Sequence, residues 1–226
     1  KCEAPDCKTL EAGLIGSYTS AALDSKGTLW VSGYNEAFYE SAFPKYGDLA
    51  VGPLEGSAVN WTVIDGVPQT PTPDPKKFNV KGFRGGQTEA GEDVGIWSSI
   101  AIDPATDRPA VAYFDRTNTA LKYAEFNGTA WEISVVDNAP DTDTGRYAKL
   151  AFINGKPVIA YQAIESAASG KITSKVKLAT GASNGFTLED VVVNANTPCR
   201  NGFCTGGSVC VADDGVCASA GSGCNA

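Results

Sequence analysis

The sequence predicts an all-β protein: a β-propeller-like array of three four-stranded antiparallel blades, followed by a disulfide-rich tail. Three observations lead there. One motif recurs three times, in a unit of about 45 residues, the size of a propeller blade. Its apolar segments are short and alternate with polar residues as half-buried strands do. Five of the seven cysteines crowd into the end of the chain.

The repeat is read first, because it sets the domain boundaries. Trp97, Asp103 and Tyr113 stand at offsets of 0, 6 and 16, and Tyr18, Asp24 and Tyr34 repeat those offsets. A third copy runs from Tyr147 to Tyr161 with its first turn shortened. The second halves agree as well: Trp131 follows Ala124 by seven residues, as Phe186 follows Ala179 and Trp61 follows Leu54. The copies occupy residues 15–68, 94–138 and 144–194 of a repeat region 13–196, with a Cys-containing segment 1–12 before it and a tail 197–226 after it.

In the second copy the strands fall at Ser98–Ile102, Ala110–Phe114, Ala120–Phe126 and Trp131–Val136. Trp131, Ile133 and Val135 alternate with Glu132 and Ser134, the pattern of a strand with one solvated face. The two inner runs are apolar on both faces, as strands between neighbouring sheets are. Asn127-Gly128 and Asn154-Gly155 supply the positive-φ residues of tight hairpins. The stretch Gly66–Val94 reads as loop, although its centre, Lys77–Phe83, leaves room for a degenerate fourth blade. Closed propellers carry four to eight blades. Three blades therefore call for closure by a second copy, by flanking sequence or by a partner.

The second copy resembles the propeller-type repeats of secreted bacterial surface proteins. The likeness rests on Gly95, Trp97, Ser98, Ala101, Asp103, Pro109, Val111, Ala112, Tyr113, Asp115, Leu121, Lys122, Tyr123, Ala124, Gly128, Trp131 and Val135–Asp137. It implies a scaffold more than any one chemistry. The tail is similar to the Cys-rich modules of bacterial surface proteins. Ala22–Trp30 is superficially similar to the Asp-box turns of sialidase-like propellers, but its Asp-to-Gly offset is three where those turns have two. With five Arg in the chain there is also little from which to build an arginine clamp. No sialidase reading follows.

Composition narrows the function classes. The chain has no His, which excludes Ser–His–Asp and Cys–His nucleophiles and every His-ligated metal. Its net charge of −8 and lack of a basic stripe argue against nucleic acid as a partner. No apolar run is long enough for a membrane-spanning helix. The chain begins at Lys1 and contains no Met, which suggests a processed product or a fragment, and a removed leader together with the cysteines points to a secreted, extracellular or cell-surface location.

Cys2, Cys7, Cys199, Cys204, Cys210, Cys217 and Cys224 are read as disulfide formers, since a small Gly- and Ser-rich tail needs cross-links in place of a core. No pair is spaced CxxC, against a zinc knuckle or a thioredoxin-like site. Seven is odd, so one thiol is free, bonded to another chain or paired outside this sequence. Asp141 and Asp143, in D-x-D-x-G with Gly145, are the candidate ligands for a structural calcium ion, with a solvated acidic turn as the alternative. No other cofactor is expected. Phe38, Tyr39, Phe43 and Tyr46, with Glu36 and Glu40 among them, form the candidate binding surface. They read either as packing and interface residues or as a sugar-contacting face.

The expected function is accordingly a non-enzymatic scaffold for adhesion or extracellular assembly, working through protein partners or self-assembly. The alternative is a carbohydrate-binding module, or a carbohydrate-active enzyme, using loop 35–46.

Overall fold

A computed structural model describes residues 14–37, 46–68, 90–166, 170, 172–182, 185–198, 208–211 and 216–219. The described residues form three antiparallel sheets of five, four and six strands in chain order, each built on a four-stranded meander. The first holds β1 (Leu14–Leu23), β2 (Leu29–Ala37), β3 (Tyr46–Glu55) and β4 (Ala58–Val59), with β5 (Thr62–Asp65) also paired to β3. The second runs β6 (Val94–Asp103), β7 (Arg108–Asp115), β8 (Ala120–Phe126) and β9 (Trp131–Asp137). The third runs β10 (Thr142–Ile153), β11 (Lys156–Ser166), β12 (Ile172–Ala182) and β13 (Gly185–Pro198). A hairpin from the cysteine tail, β14 (Ser208–Val211) and β15 (Val216–Ser219), extends this last sheet along β13.

The sheets pack face to face, and the apolar alternation of each strand decides which face meets which neighbour. For each sheet we call front the face toward the preceding sheet and back the face toward the following one. Leu49 and Val51 on the back of the first sheet pack against Val94, Ile100, Val111 and Tyr113 on the front of the second. Ala110, Ala112, Leu121 and Tyr123 on the back of the second pack against Leu150, Ile159, Tyr161 and Ala179 on the front of the third. Burial of these side chains removes apolar surface from water and drives the stacking. The alternation is plainest in β11, where Ile159, Tyr161 and Ala163 are buried while Val158, Ala160, Gln162 and Ile164 between them are only half-buried.

Pairing registers align the repeats residue by residue. Tyr34 is opposite Ser17, Phe114 is opposite Ile96 and Gln162 is opposite Arg146. The residue after Ser17, Ile96 and Arg146 is Tyr18, Trp97 and Tyr147, as the sequence repeat requires. The matching offset of Tyr34 and Tyr113 is, however, one residue out of register. The first β-hairpin is a residue shorter than the second, so Gly33 stands where the second and third sheets have Tyr113 and Tyr161. In a strand a one-residue slip reverses the face. Tyr34 accordingly points to the back of its sheet, where it joins Ile96 and Phe114.

Candidate interaction site

Three devices repeat at the two boundaries between sheets. The first is polar. At the end of β5, Asp65 accepts a hydrogen bond from the Tyr113 hydroxyl at 2.7 Å and one from Lys122 Nζ at 3.0 Å. At the end of β9, Asp137 accepts from the Tyr161 hydroxyl at 2.6 Å and from Lys177 Nζ at 2.5 Å. Each Tyr and its Lys are cross-strand partners on the front of the following sheet. Lys122 also lies 3.0 Å from Asp115 and from Glu92. Desolvation works against its charge, but Asp65 and the neighbouring carboxylates outweigh it and hold its pKa above the ordinary lysine value. Burial and the paired carboxylate push both tyrosines well above the usual phenol range.

The second device is a glycine in left-handed conformation. Gly95 (φ +102°) lies over Leu49, and a Cβ there would sit 2.9 Å from the Leu49 Cα. Gly145 (φ +107°) lies over Leu121 in the same way, at 2.8 Å. The third is a serine that accepts a backbone N–H from the next sheet. Ser20 Oγ accepts from Ile100 N at 3.2 Å, and Ser99 Oγ accepts from Leu150 N at 3.0 Å.

Among the described residues these devices are absent from the front of the first sheet and the back of the third. On the front of the first sheet the Tyr and Lys positions hold Gly33 and its cross-strand partner Ala50. Gly16, the counterpart of Gly95, has nothing within 4 Å of where its Cβ would be. The Trp61 ring edge lies 3.5 Å from the Cβ position of Gly33, and the Asn60 carbonyl crosses over Gly52. This end is covered by its own chain. On the back of the third sheet the serine position is Lys149, and the position of the outgoing Asp, by strand register, is Val192.

The third sheet nevertheless keeps the apolar pattern of an occupied back. Val158, Ala160, Val176 and Leu178 stand where the second sheet buries Ala110, Ala112, Leu121 and Tyr123. There Val158, Ala160 and Leu178 are only half-buried and Val176 is 43% exposed, as is Ile153 at the end of β10, at 55%.

A further feature lies along the first strands of the three sheets. Tyr18, Trp97 and Tyr147 each have φ +54°. Bulky residues rarely adopt this conformation, and here each sits at the bulge in its strand. Their rings form a strip, with Tyr18 and Trp97 centroids 5.8 Å apart and Trp97 and Tyr147 centroids 4.7 Å apart. The Arg146 guanidinium lies 5.6 Å over the Trp97 ring. Tyr18 and Tyr147 remain 43% and 51% exposed. The repeat pattern had marked these positions without indicating that they meet.

The residues singled out in the sequence are distributed as follows. Phe38, Tyr39, Glu40 and Phe43 lie outside the described residues, and Tyr46 opens β3. Asp143 pairs with Arg146 at 2.5 Å, and Asp137 is committed to Tyr161 and Lys177. Asp141 occupies a positive-φ turn position, φ +54°. Among the described residues no three His, Cys, Asp or Glu converge as a metal site. Asp24 closes the first β-hairpin by accepting from Thr28 N at 2.8 Å and from Trp30 Nε1 at 3.2 Å. Cys210 and Cys217 are cross-strand partners in the tail hairpin, and the other five cysteines lie outside the described residues.

No family model matches the chain. No curated protein matches it either. Among solved structures it is similar to a protein of unknown function from Dyadobacter fermentans, at 15% identity and a TM-score of 0.46, covering 76% of this chain and 50% of that one. It is also similar to a Hadza microbial sialidase, Hz136, at 14% identity and a TM-score of 0.46, covering 82% of this chain and 39% of the sialidase. The chain thus spans half or less of the length of either.

Proposed function

We propose that this protein is a non-enzymatic extracellular scaffold: three blades of a β-propeller-like array, ended by a disulfide-rich tail, that act by assembling with protein chains. The observation that carries this reading is the back of the third blade, which no further described sheet covers and where Val176 and Ile153 stay exposed. Its apolar pattern is that of the two blades whose backs are buried, and exposed faces of this kind mark sites of association. The odd number of cysteines supports an additional covalent link between chains.

Native mass spectrometry, without reductant and then with it, tests the reading. Species of two or more chains are expected, and any that fall to single chains on reduction are joined by disulfide. A 23.4 kDa monomer under both conditions would overturn it.

The strip of Tyr18, Trp97 and Tyr147 favours a second reading, a glycan-binding face. Exposed aromatic rings beside an arginine suit the apolar faces and hydroxyls of sugars. Saturable quenching of tryptophan fluorescence by an oligosaccharide, lost in Trp97→Ala, would support it, and unchanged fluorescence across a glycan panel would dismiss it.

A further inference from the structure

We infer that the back of the third sheet is a self-complementary interface, occupied by the same face of a second copy of this chain. The inference rests on the assembly reading above and names its surface and partner. Head-to-tail stacking, with the third sheet of one copy against the first sheet of another, is disfavoured by the residues at both ends. The first sheet has Gly33 and Ala50 in place of the Tyr–Lys pair, and Trp61 and Asn60 already lie across that face. The third sheet offers Val192 where an Asp would be needed. A back-to-back contact needs none of these groups, because it brings no Tyr–Lys pair to either side.

The charges on this face are arranged for that contact. Lys149, Ala160, Leu178 and Glu189 form one row across the four strands: Lys149 opposite Ala160, Ala160 opposite Leu178, Leu178 opposite Glu189. All four lie on the back. Neither Lys149 nor Glu189 makes an ion pair among the described residues. A two-fold axis in the plane of the interface, parallel to the strands and between β11 and β12, exchanges the two ends of this row at the same height. Lys149 of each copy then faces Glu189 of the other, with Ala160 and Leu178 meeting between them. An isologous contact of this kind uses every pair twice. The four strands β10 to β13 are 12, 11, 11 and 14 residues long. Four of them present a face on the order of 700 Å² in projection, close to the roughly 800 Å² that each partner gives to a stable interface. Aligned packing of two such faces is a standard sheet-on-sheet arrangement.

Sedimentation equilibrium of the non-reduced protein tests this, with a denaturing non-reducing gel to identify covalent species. The wild type should form a non-covalent two-chain species. Lys149→Glu and Glu189→Lys should each weaken it about tenfold, because each creates two like-charge contacts per dimer. The double variant K149E/E189K should restore it. Far-ultraviolet circular dichroism spectra of all three variants should match the wild type, both positions being exposed, while the melting points of the single variants fall with the loss of association. A two-chain species unaffected by the single substitutions, or one that is wholly covalent, would overturn this interface while leaving assembly as the function. A single chain at every concentration would overturn both.

Discussion

The Tyr161 hydroxyl donates to the Asp137 carboxylate at 2.6 Å across the boundary between the second and third sheets. The same bond joins Tyr113 to Asp65 at the boundary before it. In both, a lysine completes the carboxylate's coordination from the cross-strand position beside the tyrosine. The unit that fixes one sheet against the next is therefore a Tyr–Asp–Lys node, and among the described residues it occurs at both boundaries between sheets.

Removing one member of a node should cost more than removing a surface ion pair. Tyr161→Phe leaves Asp137 with Lys177 and should destabilise the fold by about 1–2 kcal/mol. Asp137→Ala strands Lys177 in a largely buried site and should cost about 3–5 kcal/mol. Urea unfolding of the two variants should show this order. Equal losses would mean that the lysine does not depend on the carboxylate.

The two boundary glycines should tolerate no side chain, while their counterpart in the first sheet should. Gly95→Ala and Gly145→Ala combine a left-handed backbone with a clash against the preceding sheet, for about 2–4 kcal/mol each. Gly16→Ala meets open space and should change stability by less than about 0.5 kcal/mol. Thermal melts compare the three directly. A costly Gly16→Ala would indicate that something covers the front of the first sheet at that point.

Stability should fall on the alkaline side. The pKa values of Tyr34, Tyr113, Tyr123 and Tyr161 are raised by burial and then by their carboxylate partners. That of Lys122 is raised because its carboxylates outweigh burial. In all five the folded chain keeps a proton that the unfolded chain releases first. Their contribution is complete below the unfolded values, near pH 10, and is lost as pH rises toward the folded ones. Each such proton steepens the decline by up to about 1.4 kcal/mol per pH unit. The melting temperature should therefore drop sharply above pH 10, and Tyr113→Phe should make the drop shallower. A flat profile to pH 12 would contradict the node geometry.

Much of this was legible in the sequence because the repeat carries it. The antiparallel meander and its hairpin turns follow from spacing and alternation. Asp137, Tyr113 and Lys122 all lie in the repeat motif, yet nothing in a single strand says that Asp65 of one sheet meets Tyr113 and Lys122 of the next. That contact exists only once the sheets stack. The Tyr34 offset misled for a physical reason, because a turn one residue shorter restores the count while reversing the face. Asp141 and Asp143 form a plausible calcium turn by spacing alone. Spacing cannot show that Arg146, three residues on, takes the Asp143 carboxylate. The same applies to the aromatic strip, in which three residues far apart in sequence are brought together by the stacking of β1, β6 and β10.

The departures at Gly33, Ala50, Lys149 and Val192 gain meaning only from the pattern they break. On the proposed reading they mark the back of the third sheet as the face that takes another chain. Sedimentation equilibrium of the intact chain over a wide concentration range tests that most directly. Reversible association to twice the 23.4 kDa chain mass is the predicted result, and a single-chain mass at all concentrations would contradict it.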